Sequence, residues 1–131
     1  MANTFQLEII TPTQIFSEGQ VNYVRAESPD GQFGIMSHHT AATVALGIGE
    51  VKVVKNGKEY FYATTGGFAD IQPESVLLLL ETAELVSDID VDRAKAAKKR
   101  AQDRLNDKNM DKARSRTAIA KAKNRLKVFH R

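Results

Sequence analysis

The chain changes character near residue 88, and that change limits what it can fold into. Residues 1–89 hold 4 Lys/Arg against 11 Asp/Glu, a net charge of −7; residues 90–131 hold 15 Lys/Arg against 5 Asp, a net charge of +10. Upstream, the sequence is rich in Val, Ile, Thr, Phe and Gly, which suits strands. Downstream it lacks Gly and Pro and is mostly Ala, Lys and Arg, which suits helices. An overall charge of +3 therefore conceals an acidic β part joined to a basic helical part. Such asymmetry points to an anionic partner for the basic part.

A chain of 131 residues makes one compact domain, or one domain with an appendage. The division falls at 1–87 and 88–131. The first part can bury a modest core; the second cannot do so alone, because its apolar residues are mostly Ala. With no Cys, disulfide and thiolate chemistry are excluded. The first residues lack a basic then apolar leader pattern, and the longest apolar run, residues 76–80, is far too short for a bilayer. Any membrane location is expected to come from a partner.

Phe5-Gln6-Leu7-Glu8-Ile9 alternates apolar and polar, the pattern of a half-buried strand. Residues 21–26 read as a second strand, closed by Ser28-Pro29-Asp30-Gly31, a turn signal. Residues 50–55 and 59–63 flank Asn56-Gly57, whose tolerance of positive φ predicts a tight hairpin. Residues 68–71 and 75–80 pair around Gln72-Pro73-Glu74, with Val76-Leu77-Leu78-Leu79-Leu80 expected between two layers. Many short strands with regular turns predict a β-sandwich or a flattened barrel. Gly31-Gln32-Phe33-Gly34 and Gly66-Gly67-Phe68 predict turns, bulges or close backbone approaches. Neither leads into Lys-Ser/Thr and a helix, so neither is a phosphate loop.

Asp88 or Asp90 can cap a helix over residues 91–105. Its Ala94, Ala97, Ala101 and Leu105 share one face. Residues 106–109 break it, and a second helix runs over 110–129 with a stripe of Ile119, Ala122, Leu126 and Phe129, and Ala113 further up. Together they predict an antiparallel helical hairpin. Ala burial contributes little and the outer charges repel, so the hairpin is expected to dock marginally and to be switchable.

No catalytic residue and no metal site are expected. His38-His39 lacks further ligands at useful spacing, His130 is terminal, and no nucleophile-elbow pattern occurs. Arg93 and Arg100 lie seven apart, on one helix face. With Arg114 and Arg125 from the returning helix they could form a cationic pocket for a polyphosphate. Asp90 could accept a bond from an adenine amino group, or could simply cap the helix.

These features resemble the epsilon subunits of bacterial F-type ATP synthases over the whole chain. Gly31-Gln32-Phe33-Gly34-Ile35-Met36 with His39 is similar to that family's Gly-x-x-Gly-Ile-Leu-x-x-His loop. Gly66-Gly67-Phe68 is similar to its Gly-Gly-Phe strand entry. Ile89-Asp90-x-x-Arg93-Ala94 matches its nucleotide motif, and Asn124-Arg125-Leu126 resembles the motif near the end of the second helix. The resemblance implies an α+β fold, a sandwich of about ten strands followed by a helical hairpin.

It further implies a non-catalytic subunit of the central rotor stalk, with no required cofactor. The sandwich would bind the gamma subunit and rest on the c-ring, using Gly31, Gly34, Ile35, Met36, His38 and His39. The hairpin would either fold on the sandwich or extend along gamma toward the alpha and beta subunits, inhibiting ATP hydrolysis. ATP would hold the folded form through Glu84, Ile89, Asp90, Arg93, Ala94, Arg100, Arg114, Lys121 and Arg125. Lys98, Lys99, Arg104, Lys108, Arg116 and Lys123 would meet an acidic partner segment. The location would be peripheral, on the cytoplasmic side of a bacterial cell membrane. Five positions depart from the pattern. Lys121 stands where Arg is usual, Ser37-His38 replaces Pro-Gly, Ala41 replaces Pro, and Asp70 replaces Glu. The competing reading is a nucleic-acid-binding module built on the basic hairpin. Phe129 is the only aromatic residue after residue 89, so stacking platforms are absent and no nucleic-acid partner is expected.

Overall fold

The computed structural model describes residues 3–107 and 111–130. Eight strands come first: β1 Phe5–Ile10, β2 Ile15–Val21, β3 Tyr23–Ser28, β4 Gly31–Met36, β5 Ala42–Leu46, β6 Gly49–Lys55, β7 Lys58–Gln72 and β8 Ser75–Leu85. A 3-10 turn, Val86–Asp88, leads to α1, Val91–Leu105, and α2, Lys112–Phe129. Hydrogen bonding links the strands in the order β2-β1-β8-β7-β6-β3-β4, with β5 on β7.

The two longest strands each serve two layers. Residues 67–71 of β7 pair with β5, and residues 67–72 pair with the start of β8, which pairs in parallel with β1. Residues 58–64 of β7 pair with β6, and residues 62–65 pair with the end of β8. One layer is thus β2, β1, the first half of β8, the second half of β7 and β5. The other is the second half of β8, the first half of β7, β6, β3 and β4. Five segments per layer give the expected sandwich of about ten strands, drawn from eight continuous ones. Gly66-Gly67 forms the corner. Gly67 has φ +155°, and a Cβ there would collide with the Leu79 carbonyl oxygen. No other residue type fits that bend.

Alternating side chains from both layers interlock between them. Phe5, Leu7 and Ile9 of β1, Val24 and Ala26 of β3, Val51 and Val53 of β6, and Val76, Leu78 and Leu80 of β8 form one buried cluster. The run at residues 76–80 is therefore not apolar on two buried faces: Leu79 faces solvent and Leu77 is half-buried. Asn56 and Gly57 take positive φ in the β6–β7 turn, as their types require.

Three strands escaped the sequence reading. In β2 a bulge inserts Glu18 between the Leu7–Gly19 and Glu8–Ser17 pairs, which breaks the alternation. The bulge turns the Glu18 carboxylate toward Tyr62, whose hydroxyl donates to it, and Lys55 Nζ lies 3.7 Å away. Short β5 has little apolar contrast. The glycines of β4 mask a strand: Gly34 leaves room for the Tyr23 ring, where a Cβ would strike it.

Asp90 Oδ1 accepts from Arg93 N at 3.0 Å and Asp111 Oδ1 from Arg114 N at 3.2 Å, capping the two helices. The burial stripe on α2 differs from expectation. Ser115, Ala122 and Val128 are buried, whereas Ala113 and Phe129 are exposed and Ile119 and Leu126 are half-buried. The reason is that α2 packs against both α1 and the sandwich, so one stripe cannot describe it. The expected start of this helix at Met110 lies outside the described residues.

Candidate functional site

The junction between sandwich and hairpin is built from the Ile89-Asp90-x-x-Arg93-Ala94 segment. Ile89 is buried with Ala63 and Val128, against Phe61 and Val86, and so ties the hinge to the outer face of β7. Asp90 caps α1. Ala94 is buried, and its small side chain permits close packing. Every motif residue except Arg93 thus has a structural task.

Along α2, four residues on one side hold the sandwich. Lys121 Nζ lies 4.0 Å from Glu81 Oε2. Asn124 Nδ2 donates to the Gly49 carbonyl at 2.8 Å and to the Thr64 carbonyl at 3.3 Å. Arg125 Nε donates to Glu84 Oε1 at 2.5 Å. Val128 closes the small apolar cluster. Of these four side chains Val128 alone is apolar, so the other three hold the sandwich through polar groups.

The structure brings Glu84, Asp90, Arg93, Ala94 and Arg125 around one cavity of about 150 Å³. Ile89 lies beneath, in the core of the junction. Arg100 is exposed and does not line the cavity. Lys121 is turned to Glu81. Arg114 lies in a different cavity, with Arg104 and Ser115. Small-ligand sites usually measure about 300–1,000 Å³. A nucleotide therefore fits this donor set only if the cavity widens and Arg125 leaves Glu84. Among the described residues no group of His, Cys, Asp and Glu is placed to hold a metal.

The glycine-rich segment is edge strand β4 rather than a loop. Met36 and His38 are exposed, as are Gly31 and Gly34. Ile35 belongs to the core, so its side chain is not on the surface. His39 Nδ1 faces the Met36 carbonyl at 2.5 Å, and Nε2 faces the Gln72 carbonyl. Its ring also packs edge-on to Phe5 at 5.0 Å. His39 thereby staples β4 to the β7–β8 turn, a positioning role more than a contact role. His38 has φ +63°. Of the basic residues assigned to an acidic partner, Lys99, Arg104, Arg116 and Lys123 are exposed and Lys98 is half-buried; Lys108 lies outside the described residues.

Two sequence-family models match the chain. The ATP synthase delta/epsilon chain β-sandwich domain covers residues 4–86, and the delta/epsilon chain long α-helix domain covers residues 87–129. The chain belongs to the ATP synthase delta/epsilon family. ATP synthase epsilon chains of Desulforamulus reducens and Staphylococcus haemolyticus are 40% and 42% identical to it, over 98% and 96% of either sequence. A chain in the cryo-EM structure of the Euglena gracilis mitochondrial ATP synthase, OSCP/F1/c-ring, shares the fold with TM-score 0.74 at 19% identity, over 99% of this chain and 79% of that one. One in the Tetrahymena thermophila mitochondrial ATP synthase central stalk/c-ring gives 0.60 at 14% identity, over 96% and 93%.

As an epsilon-family member the chain is a non-catalytic subunit of an ATP synthase. No helix among its described residues is long and apolar enough to cross a membrane. One exposed apolar row carries no signal in the linear sequence. Register aligns Ala45, Phe68, Leu79, Ile10 and Ile15 in a row across five strands, on the outer face of one layer. Phe68 is 55%, Leu79 43% and Ile15 67% exposed. Their alternation with buried neighbours could have revealed the row, but only once the strand pairing was known.

Proposed function

We propose that this chain is the rotor-stalk coupling of a bacterial F-type ATP synthase and that its hairpin regulates ATP hydrolysis. The sandwich seats on a gamma-type subunit through the Ala45–Phe68–Leu79–Ile10–Ile15 row. An exposed apolar row on an otherwise ordinary sheet face is the kind of patch that marks a protein contact. Gly31, Gly34, Met36 and His38, at the β4 edge and the turn beyond it, meet the c-ring. That the structural neighbours come from F1/c-ring and central-stalk assemblies supports this placement. Membrane association is peripheral, on the cytoplasmic side, through the complex.

The observation that carries the regulatory reading is the thin docking of α2. Among the described residues, a hairpin with a net charge of +10 is held by one apolar cluster and by the polar contacts of Lys121, Asn124 and Arg125. Such an element has a folded and an extended form close in free energy. In the extended form its basic residues meet acidic segments of the alpha and beta subunits, and hydrolysis stops. ATP favours the folded form, using Arg93 and Arg125 after the cavity opens; Lys121 gives a point charge where a guanidinium would give a fork. The test uses the reconstituted enzyme. Removal of residues 88–131, and a disulfide lock through Ala63→Cys with Val128→Cys, are both expected to raise hydrolysis. Rates unchanged by both would overturn the inhibitory role and leave only the stalk joint.

A further inference from the structure

Glu81 stands where two surfaces meet. On one side it lines an open cavity of about 650 Å³ along the exposed apolar row, beside Ile10, Pro12, Leu46, Phe68 and Leu79. On the other, its Oε2 lies 4.0 Å from Lys121 Nζ of α2. The bend of the sheet explains this double position. Glu81 falls between the Gly67–Leu80 and Thr65–Thr82 pairs, at the corner where β8 passes from one layer to the other. Among the described residues it is the one charged group that lines the cavity. Thr11 is already engaged, its Oγ1 accepting from Gln14 N at 3.0 Å. Apolar walls with a single carboxylate at the rim fit a bulky apolar side chain flanked by a Lys or Arg. The net charge of −7 on residues 1–89 favours the same kind of partner.

We infer that Glu81 couples the apolar seat to the latch of the hairpin. The occupant is a segment of the gamma-type subunit that presents an apolar side chain beside a basic one, so the inference rests on the seating proposed above. The cation of that segment and Lys121 compete for one carboxylate. The Glu81 side chain is 69% exposed and can turn to either. Seating therefore removes one of the polar contacts that hold α2. Release of α2 in turn frees Glu81 for the partner, because coupling between two sites is reciprocal. Asn124 and Arg125 keep their own partners on the sandwich. An exposed ion pair carries little free energy, so seating adjusts the balance between docked and released hairpin without fixing it.

The test measures the affinity of the full chain for a bacterial gamma subunit, without nucleotide, in a double-mutant cycle. Lys121→Gln frees Glu81 and is expected to tighten binding by up to about fivefold, the range an exposed pair carries. In the Glu81→Gln background the same change should do nothing. Glu81→Gln alone should weaken binding severalfold. Amide exchange over residues 121–128 should be faster in the wild-type complex than in the isolated chain, and high salt should erase the advantage of Lys121→Gln. Equal effects of Lys121→Gln in both backgrounds, or none in either, would overturn the coupling. Phe68→Asp keeps that failure apart from failure of the seat. Normal gamma binding by Phe68→Asp places the seat on another face and overturns both. A dimer of the isolated chain that Phe68→Asp dissolves would put a second copy in the cavity and overturn the assignment to gamma.

Discussion

Arg125 Nε donates to Glu84 Oε1 across 2.5 Å, joining the second half of α2 to the end of β8. Both side chains are about a third exposed, 37% and 31%, so water screens the pair. Pairs of this kind contribute roughly 0.2–1 kcal/mol. The bond therefore matters less for stability than for what it occupies. While Glu84 holds the guanidinium, that group is not free for a phosphate.

Arg125→Gln is accordingly expected to leave the sandwich's unfolding midpoint nearly unchanged and to abolish ATP-induced compaction of the hairpin. Small-angle scattering with and without ATP would report it. Full compaction in the variant would remove Arg125 from nucleotide binding.

Asn124 is the stronger latch. Its amide satisfies two backbone carbonyls, Gly49 and Thr64, at the β6–β7 surface. Asn124→Leu loses both hydrogen bonds, each contributing about 0.5–1.5 kcal/mol, although the Gly49 carbonyl still accepts from Thr64 Oγ1 at 3.0 Å. The cost falls on docking, because both carbonyls face α2. Amide exchange in α2 should quicken by one to two orders of magnitude while β1 and β6 keep their protection. Uniform acceleration across the chain would show that hairpin and sandwich open as one unit.

The hinge and the helices were legible because their signals are local. Asp90 stands one residue before an Ala-rich run, and α1 spans the expected residues 91–105. The Asn56-Gly57 hairpin is legible for the same reason. What stayed hidden depends on pairing across the sheet. The Glu18 bulge scrambles the pattern of β2, Tyr23 over Gly34 turns a glycine segment into strand β4, and the exposed apolar row crosses five strands. The nucleotide constellation was only partly legible. Helical spacing placed Arg114 with Arg125, yet they line different cavities, because eleven residues of α2 carry them about 16 Å apart along the axis.

His38 occupies the left-handed region at φ +63°. A side chain there costs about 1–2 kcal/mol relative to glycine, and glycine adds roughly 0.5–1 kcal/mol of chain entropy to the unfolded state. His38→Gly should therefore stabilise the sandwich slightly, raising its melting temperature by up to a few degrees. A lower melting temperature would mean that the exposed imidazole makes a stabilising contact.

Tyr62 sets an alkaline limit. Burial first, then the hydrogen bond to Glu18 and the nearby charges of Glu18 and Asp88, push its hydroxyl well above the ordinary tyrosine range. The protonated phenol is therefore favoured in the folded state. Its contribution is complete below about pH 10, where the unfolded tyrosine ionises. Above that pH the unfolded chain loses a proton that the folded chain keeps, so stability falls by up to about 1.4 kcal/mol per pH unit from this group. Urea unfolding between pH 9 and 11.5 should show that slope. Tyr62→Phe should be less stable at pH 8, having lost the bond to Glu18, yet flatter above pH 10. Equal slopes in both proteins would assign the alkaline loss to other groups.

The apolar row gives the sharpest separation between folding and assembly. Phe68 and Leu79 are cross-strand partners on the outer face, both largely in water. Replacing either by Asp exposes no core and leaves the corner glycines untouched. Phe68→Asp is thus expected to change stability by no more than about 0.5 kcal/mol, the usual range for a surface site. In an assembled stalk the same carboxylate would lie at a desolvated contact, where an unpaired charge is costly. Co-purification with a gamma-type subunit should fall at least tenfold, while the isolated chain keeps its circular dichroism and melting temperature. If Phe68→Asp and Leu79→Asp both bind gamma normally, the contact lies on another face, and the β4 edge with Met36 and His38 becomes the surface to test.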